Sequence, residues 1–362
     1  MRYRVFGSGA YLLTVPVQRQ SPDAADYATM RGMVTSANDT DRRRQALQRW
    51  VEAALGAPPV KMEAASSDAS FRRYFRVTSV AGESVIAMDA PPTHEDCRPY
   101  VKVAGLLADA GLNAPRILAA DIERGFLLIS DLGRQTYLDV INDANADALF
   151  AAAIEALVRW QRATVPGELP PYDAALLRRE LDLFPDWYLK RHMGVELAGD
   201  RLHAWGNCCQ TLVASAEAQP QVYVHRDYMP RNLMISDPEP GIVDFQDAVI
   251  GAVTYDAVSL FKDAFLSWSD ERVAVWRRQY WESARRAGVP VQEEYADFER
   301  AFDWMGLQRH LKVLGIFARL DYRDGKPRYL AETPRFVKYV RDVAARYEEF
   351  RPLLDLFDSL PA

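Results

Sequence analysis

Apolar positions in the first third of the chain change period several times, and each change predicts an element. In "TDRRRQALQRWVEAAL", Leu47, Trp50, Val51, Ala54 and Leu55 recur three and four residues apart, which predicts an amphipathic helix. "SFRRYFRVTSVAGESVIAMDAPP" sets Phe71, Arg73, Phe75 and Val77 on one face, turns at Ala81-Gly82 and resumes with Val85-Ile86-Ala87-Met88, the pattern of a β-hairpin. A helix is predicted over about residues 95–110, closed by Gly111. "APRILAADIERGFLLISDLG" predicts two strands, the second apolar without alternation from Phe126 to Ile129 and ending in Ser130-Asp131-Leu132-Gly133. From Leu138 onward the period is mostly helical, broken by short apolar runs near residues 222–224 and 241–243. No internal repeat appears.

This pattern predicts an α+β chain in two lobes, with a small β-rich half and its connector over residues 41–132 and a larger helical half over 133–362. Residues 1–40 are expected to form an extension without regular structure, or to lie upstream of a natural start at Met33. The opening "MRYRVFGSGAYLLTVPVQRQ" has a signal peptide's charge order, but Gly7, Ser8, Gly9 and Pro16 break its apolar part and no small-x-small cleavage pattern stands out. Hydrophobic residues at 49% and charged residues at 26% describe an ordinary globular chain, and a net charge of −6 argues against a nucleic-acid surface while leaving room for a local basic pocket. No later run reaches the roughly 18 apolar residues of a membrane span. Cys97, Cys208 and Cys209, odd in number with two adjacent, suit reduced thiols in a cytoplasm better than a disulfide framework. His192 and His203 have no companions at zinc-ligand spacing. Nothing in the sequence sets an oligomeric state, and a monomer is compatible with it.

The chemistry concentrates in "VYVHRDYMPRNLMISDPEPGIVDFQDA", Val222 to Ala248, where polar residues sit between apolar runs. Any one of Asp227, Asn232 and Asp244 could simply cap a turn or a strand. Together, bracketed by Leu233-Met234-Ile235 and Ile242-Val243, they suit phosphoryl transfer, which needs hard oxygen ligands for magnesium and a group that orients the attacking hydroxyl. Asp244, after Gly241-Ile242-Val243, is placed to bind the metal. Asn232 offers a neutral second oxygen where another carboxylate would repel phosphates. Asp227 accepts the hydroxyl proton.

"HRDYMPRN" matches the His-x-Asp-x-x-x-x-Asn loop of protein-kinase-like folds, and "DFQ" stands where such folds carry a metal-binding triplet. With "SFRRYFRV", "AMDAPP", "HEDCRP", "DFQDAVIGAVTYDAVSL" and "MGLQRHLKVLGIFARL", the chain over roughly residues 45–345 resembles the aminoglycoside phosphotransferase-like kinases. Within them it resembles the anomeric kinase branch that acts at C1 of N-acetylmuramate and N-acetylglucosamine in peptidoglycan recycling. The resemblance implies a two-lobed protein-kinase-like fold, ATP and Mg2+ as cofactors, an amino sugar as acceptor, and support of the catalytic loop by His225 and Asp256. Asp256 also reads as an ordinary acid at a helix N-terminus. Another small-molecule kinase of the same superfamily, acting on an aminoglycoside, choline or a different sugar, is the competing enzyme reading.

Two departures matter. The third strand carries Met88 where a lysine usually meets the phosphates, which leaves a nucleotide-binding module without transfer activity as the reading from another class. The nucleotide loop "EAASSDASFRRYF" lacks a glycine run; small Ser67 and Ser70 still admit phosphate to backbone amides, and Arg72 or Arg73 could supply the missing charge or form a solvated strand face. The connector Ser130, Asp131 and Leu132 is expected to read a purine through its main chain. Glu95 and Asp96 read as plain acids at a helix start. For the acceptor, Arg309, His310 and Lys312 share a helix with an apolar face of Leu307, Leu311, Leu314 and Phe317, and their polar face either reaches into the cleft or stays solvated. Arg309 and His310 are assigned to substrate binding, since arginine suits a lactyl carboxylate. Arg231 joins them, and Gln246 and Asp247 are assigned to sugar hydroxyls or the acetamido group.

Overall fold

The computed structural model describes residues 37–66, 71–80 and 82–361. The expectations for residues 1–36, and for Ser67 and Ser70, lie outside the described residues. Helix α1, Ala37–Leu55, begins before the expected end of the extension at residue 40. Strands β1 (Lys61–Ser66), β2 (Arg73–Thr78), β3 (Ser84–Asp89), β4 (Ile117–Asp121) and β5 (Phe126–Ser130) form an antiparallel sheet in the order β1-β2-β3-β5-β4.

The unalternating run in β5 follows from burial on both faces. Phe126 and Leu128 join Phe75, Val77 and Ala87 in a cluster completed by Leu47 and Val51 of α1. Leu127 and Ile129 turn the other way, into the main core with Ile86, Met88 and the inner residues of α2, Arg98–Asp109. Helix α2 begins at Arg98 with Pro99 in its first turn, later than the predicted residue 95. Glu95 therefore precedes the helix.

The connector leaving β5 is held by one residue: Arg76 donates to both carboxylate oxygens of Asp131, at 2.5 and 2.9 Å, and to the Gly133 carbonyl at 2.5 Å. Beyond it come α3 (Tyr137–Val140), α4 (Ala146–Arg162), α5 (Ala174–Leu181), a π-helical segment (Phe184–His192) and α6 (Gly199–Ala218). Two short pairs then carry the motif: β6 (Gln221–Val224) with β9 (Val249–Ala252), and β7 (Leu233–Met234) with β8 (Gly241–Ile242). Helices α7 (Tyr255–Phe261), α8 (Asp270–Ala287), α9 (Tyr295–Tyr322), α10 (Thr333–Ala344) and α11 (Arg351–Asp358) complete the chain. No helix among the described residues is long and apolar enough to cross a membrane.

Helix α9 is the axis of the helical half, buried without a break from Met305 to Gly315. It lies so close to the π-helical segment that a Cβ on Gly315 would stand 2.4 Å from the Leu183 carbonyl carbon and oxygen. Gly315→Ala gains about 1 kcal/mol of helix propensity, but the clash is with backbone, and overpacking of this kind costs about 1–3 kcal/mol and can exceed that. The clash should win, so the variant should unfold at lower urea; a midpoint at or above the parent's would contradict the close approach.

Candidate active site

The catalytic loop is anchored from beneath. The fully buried Asp256 carboxylate in the first turn of α7 accepts the main-chain N–H of His225 at 2.6 Å and of Arg226 at 3.0 Å. Arg226 holds φ +76°, a left-handed conformation that non-glycine residues adopt only when surroundings enforce it. Burial raises the Asp256 carboxyl to about 7, against the pull of those two N–H groups. Burial also holds His225 neutral, lowering its pKa to about 4. Its Nε2 pairs with the Val243 carbonyl at 3.1 Å and its Nδ1 accepts the Asp227 N–H at 3.3 Å, which makes Nε2 the protonated nitrogen.

The structure brings Asp227, Asn232 and Asp244 together. Asn232 Nδ2 donates to the Asp227 carbonyl at 2.9 Å and lies 3.4 Å from Asp244 Oδ2, so its Oδ1 is the oxygen left to meet a cation. Asp244 takes φ +63° just past β8. Gln246 donates to Asp244 Oδ1 at 3.0 Å and to Asp247 Oδ2 at 3.3 Å. Gln246 thus orients the carboxylate, a role its assignment to the sugar did not foresee. No group of three or more His, Cys, Asp or Glu side chains gathers as a metal cage among the described residues. Two protein oxygens from Asn232 and Asp244 fit a hard cation that takes its other ligands from phosphate and water.

Two cavities meet here. One of about 260 Å³ lies between the sheet and the connector, lined by Tyr74, Ile86, Ser130, Asp131 and Leu132. The other, about 660 Å³, lies between the catalytic loop and α9 and includes Arg72, Asp227, Asp247, Arg309, Lys312 and Arg319. Arg231, Asn232 and Asp244 line both. The Arg231 guanidinium sits 5.1 Å from the centre of the Phe265 ring.

Several assignments need correction. Arg73 points away from the cleft, where it and Arg43 close on buried Asp89. Arg72 is the arginine that faces the cleft, 2.8 Å from Glu95, so Glu95 is an ion-pair partner rather than a plain helix-start acid. Asp96 keeps that role, accepting the Arg98 N–H at 2.9 Å. Met88 is fully buried in the core. His310 does not line the cleft: it is completely buried, its ring 4.9 Å from Tyr339 and 5.6 Å from Phe336. Ser130 has its amide and hydroxyl committed to Arg116, each at 2.9 Å. No main-chain hydrogen bond engages the Leu132 amide among the described residues.

Sequence reasoning missed Glu180, which stands at the centre of a buried network. Its carboxylate receives Arg226 at 2.5 Å, Lys312 at 3.0 Å and the Tyr172 hydroxyl, while Lys312 also donates to the Tyr255 hydroxyl at 3.0 Å. Burial pushes Glu180 toward its neutral form, but Lys312 and Arg226 win and hold its pKa below the usual value. On α5 it reads as one more surface acid of "AALLRREL"; only the fold reveals its partners.

A small antiparallel sheet, a pinned connector and a kinase-type loop over a helical half define a phosphotransferase with a protein-kinase-like fold. The chain belongs to the phosphotransferase enzyme family, whose model matches residues 61–298. It is 56% identical over 331 residues, covering 89% of this chain and 98% of the relative, to the N-acetylmuramate/N-acetylglucosamine kinase of Pseudomonas aeruginosa. To the kinase of the same name from Neisseria meningitidis it is 44% identical over 323 residues, 88% of this chain and 96% of the relative. Among solved structures, an amicoumacin kinase in complex with AMP-PNP, calcium and Ami shares the fold, with a TM-score of 0.60 over 84% of this chain and 96% of that one at 16% identity.

Neutral His225 has a pH consequence. Between pH 6.5 and about 4 the unfolded chain binds a proton at this site that the folded one does not, so this contribution to stability falls as pH is lowered, by about 1.4 kcal/mol per unit. The stability gap between parent and His225→Gln, from urea unfolding, should therefore narrow from pH 6.5 toward 4. A gap constant across that window would show that His225 is not held neutral.

Proposed function

We propose that this protein transfers the γ-phosphoryl group of ATP, with Mg2+, to the anomeric hydroxyl of N-acetylmuramate and N-acetylglucosamine, giving sugar 1-phosphates for cell-wall recycling into UDP-sugar precursors. The observation that carries the reading is that Arg231, Asn232 and Asp244 line both cavities, so a donor in one and an acceptor in the other meet at those residues. The names of the relatives support the choice of sugars.

In this reading the Leu132 amide meets the purine edge, and the cavity beneath the sheet takes the nucleoside. Arg72, held by Glu95, brings to the phosphates the positive charge that Met88 lacks, which favours an active enzyme over a silent nucleotide-binding module. Asn232 Oδ1 and Asp244 would hold Mg2+, which would supply the positive charge that offsets the phosphates. Asp227 accepts the proton of the attacking hydroxyl, oriented by the main-chain bonds that fix its loop. The anomeric hydroxyl is the most acidic on the ring, because the ring oxygen withdraws electron density, so a carboxylate base has least to do there. Arg231, Arg309 and Asp247 face the sugar. Need for ATP and three buried free thiols fit a cytoplasmic enzyme.

The test is an acceptor screen read by phosphorus NMR. Both free sugars should give a phosphate coupled to the anomeric proton, and their methyl glycosides, with O1 blocked, should give none. Phosphate at O6 of a methyl glycoside would overturn the 1-kinase assignment and leave the kinase fold standing.

A further inference from the structure

Helix α9 presents one stripe to the acceptor cavity: Arg309, Lys312, Val313, Ile316, Arg319 and Leu320. Its cations are not equivalent. Lys312 is neutralised by Glu180 and hydrogen-bonded to Tyr255. Arg309 lies deep in the stripe, 2% exposed; its Nε and Nη1 are also buried without acceptors, but its charge is already engaged by the buried carboxylates of Asp256 and Asp263. Arg319 stands seven residues beyond Lys312, two turns or about 10 Å along the helix. Among the described residues it forms no ion pair, and its Nε is buried without an acceptor. Burial and the neighbouring charge of Arg323 press on its guanidinium, and Arg323 itself is closed on Asp324 at 2.7 and 2.9 Å.

Asp324 and Glu180 act on Arg319 only at a distance, since Asp324 is closed on Arg323 and Glu180 on Arg226 and Lys312. A half-buried guanidinium on a cavity wall without a carboxylate of its own is a site for an anion that arrives with the substrate, because its fork of donors gains most from a planar carboxylate. The two proposed acceptors differ in this one respect: N-acetylmuramate carries a lactyl carboxylate on O3, two ring carbons from C1, and N-acetylglucosamine carries none. Asp227, Lys312 and Arg319 line the same cavity, so a sugar with O1 at Asp227 has room to extend its C3 substituent along α9 toward Arg319.

We infer that Arg319 binds the lactyl carboxylate of N-acetylmuramate and so sets the preference between the two sugars, an inference that rests on the sugar-kinase reading above. Arg319 takes no part in the transfer itself. Its contribution appears only with the acidic sugar, which makes the neutral sugar an internal control for folding, nucleotide binding and chemistry.

The experiment measures kcat/KM for both sugars on the parent, Arg319→Gln and Arg319→Lys. In Arg319→Gln the value for N-acetylmuramate should fall about 10- to 100-fold, the worth of a hydrogen bond to a charged group, mainly through KM, while N-acetylglucosamine stays within about threefold. Arg319→Lys should recover part of the loss, since it restores charge without the fork. Equal losses on both sugars would make Arg319 a structural residue and overturn the inference, as would an unchanged ratio. A parent that phosphorylates neither sugar would instead refute the sugar-kinase reading itself, and that result is seen before any variant is made.

Discussion

The site depends on one buried carboxylate. Asp256 accepts the amide hydrogens of His225 and Arg226 and so enforces the left-handed turn that carries Asp227 into the cleft. The restraint passes onward: the His225 ring bridges from the Asp227 amide to the Val243 carbonyl, next to Asp244, and Asn232 closes the circuit from the Asp227 carbonyl to the Asp244 carboxylate. Asp227, Asn232 and Asp244 are thus tied through hydrogen bonds rather than held on separate loops. Non-glycine residues with positive φ stand on both sides of the circuit, Arg226 and Asp244, where strain is sustained by the packing around it.

A second buried acid extends this frame to the acceptor side. Glu180 joins Arg226 of the loop to Lys312 of α9, and the hydroxyls of Tyr172 and Tyr255 bond into the same group. Buried charges are tolerable when each is paired and hydrogen-bonded, and the cost of removing one partner is then large. The close approach at Gly315 fixes the same helix against the π-helical segment. The α9 wall of the acceptor cavity is thus fixed at Lys312 by its ion pair with Glu180 and at Gly315 by backbone packing.

The strands, the connector and the clustering of Asp227, Asn232 and Asp244 were legible because each rests on local pattern: period in β2 and β5, turn residues after Ser130, and fixed spacing from Asp227 to Asn232 to Asp244. The arginine that faces the cleft was half legible. Alternation put Arg73 on the face of Phe75 and Val77, which is the α1 face, and so already turned it from the cleft; the pairing of Arg72 with Glu95 needed the later start of α2. His310 was misplaced because α9 is buried on every side, so polarity does not mark which side meets the cleft. One residue turns a helix by about 100°, enough to carry His310 from the wall of Arg309 to the rings of Phe336 and Tyr339. Glu180 had no local signal, since its meaning comes from residues 46 and 132 positions away.

The most direct test of the account is the turnover number of Asp227→Asn with N-acetylglucosamine as acceptor. The variant keeps the shape of the side chain and the main-chain bonds of the loop, but cannot accept a proton, so kcat should fall about 10²- to 10⁴-fold with little change in ATP affinity. Turnover above about a tenth of the parent's would contradict the assignment of Asp227 as the base on which this site is built.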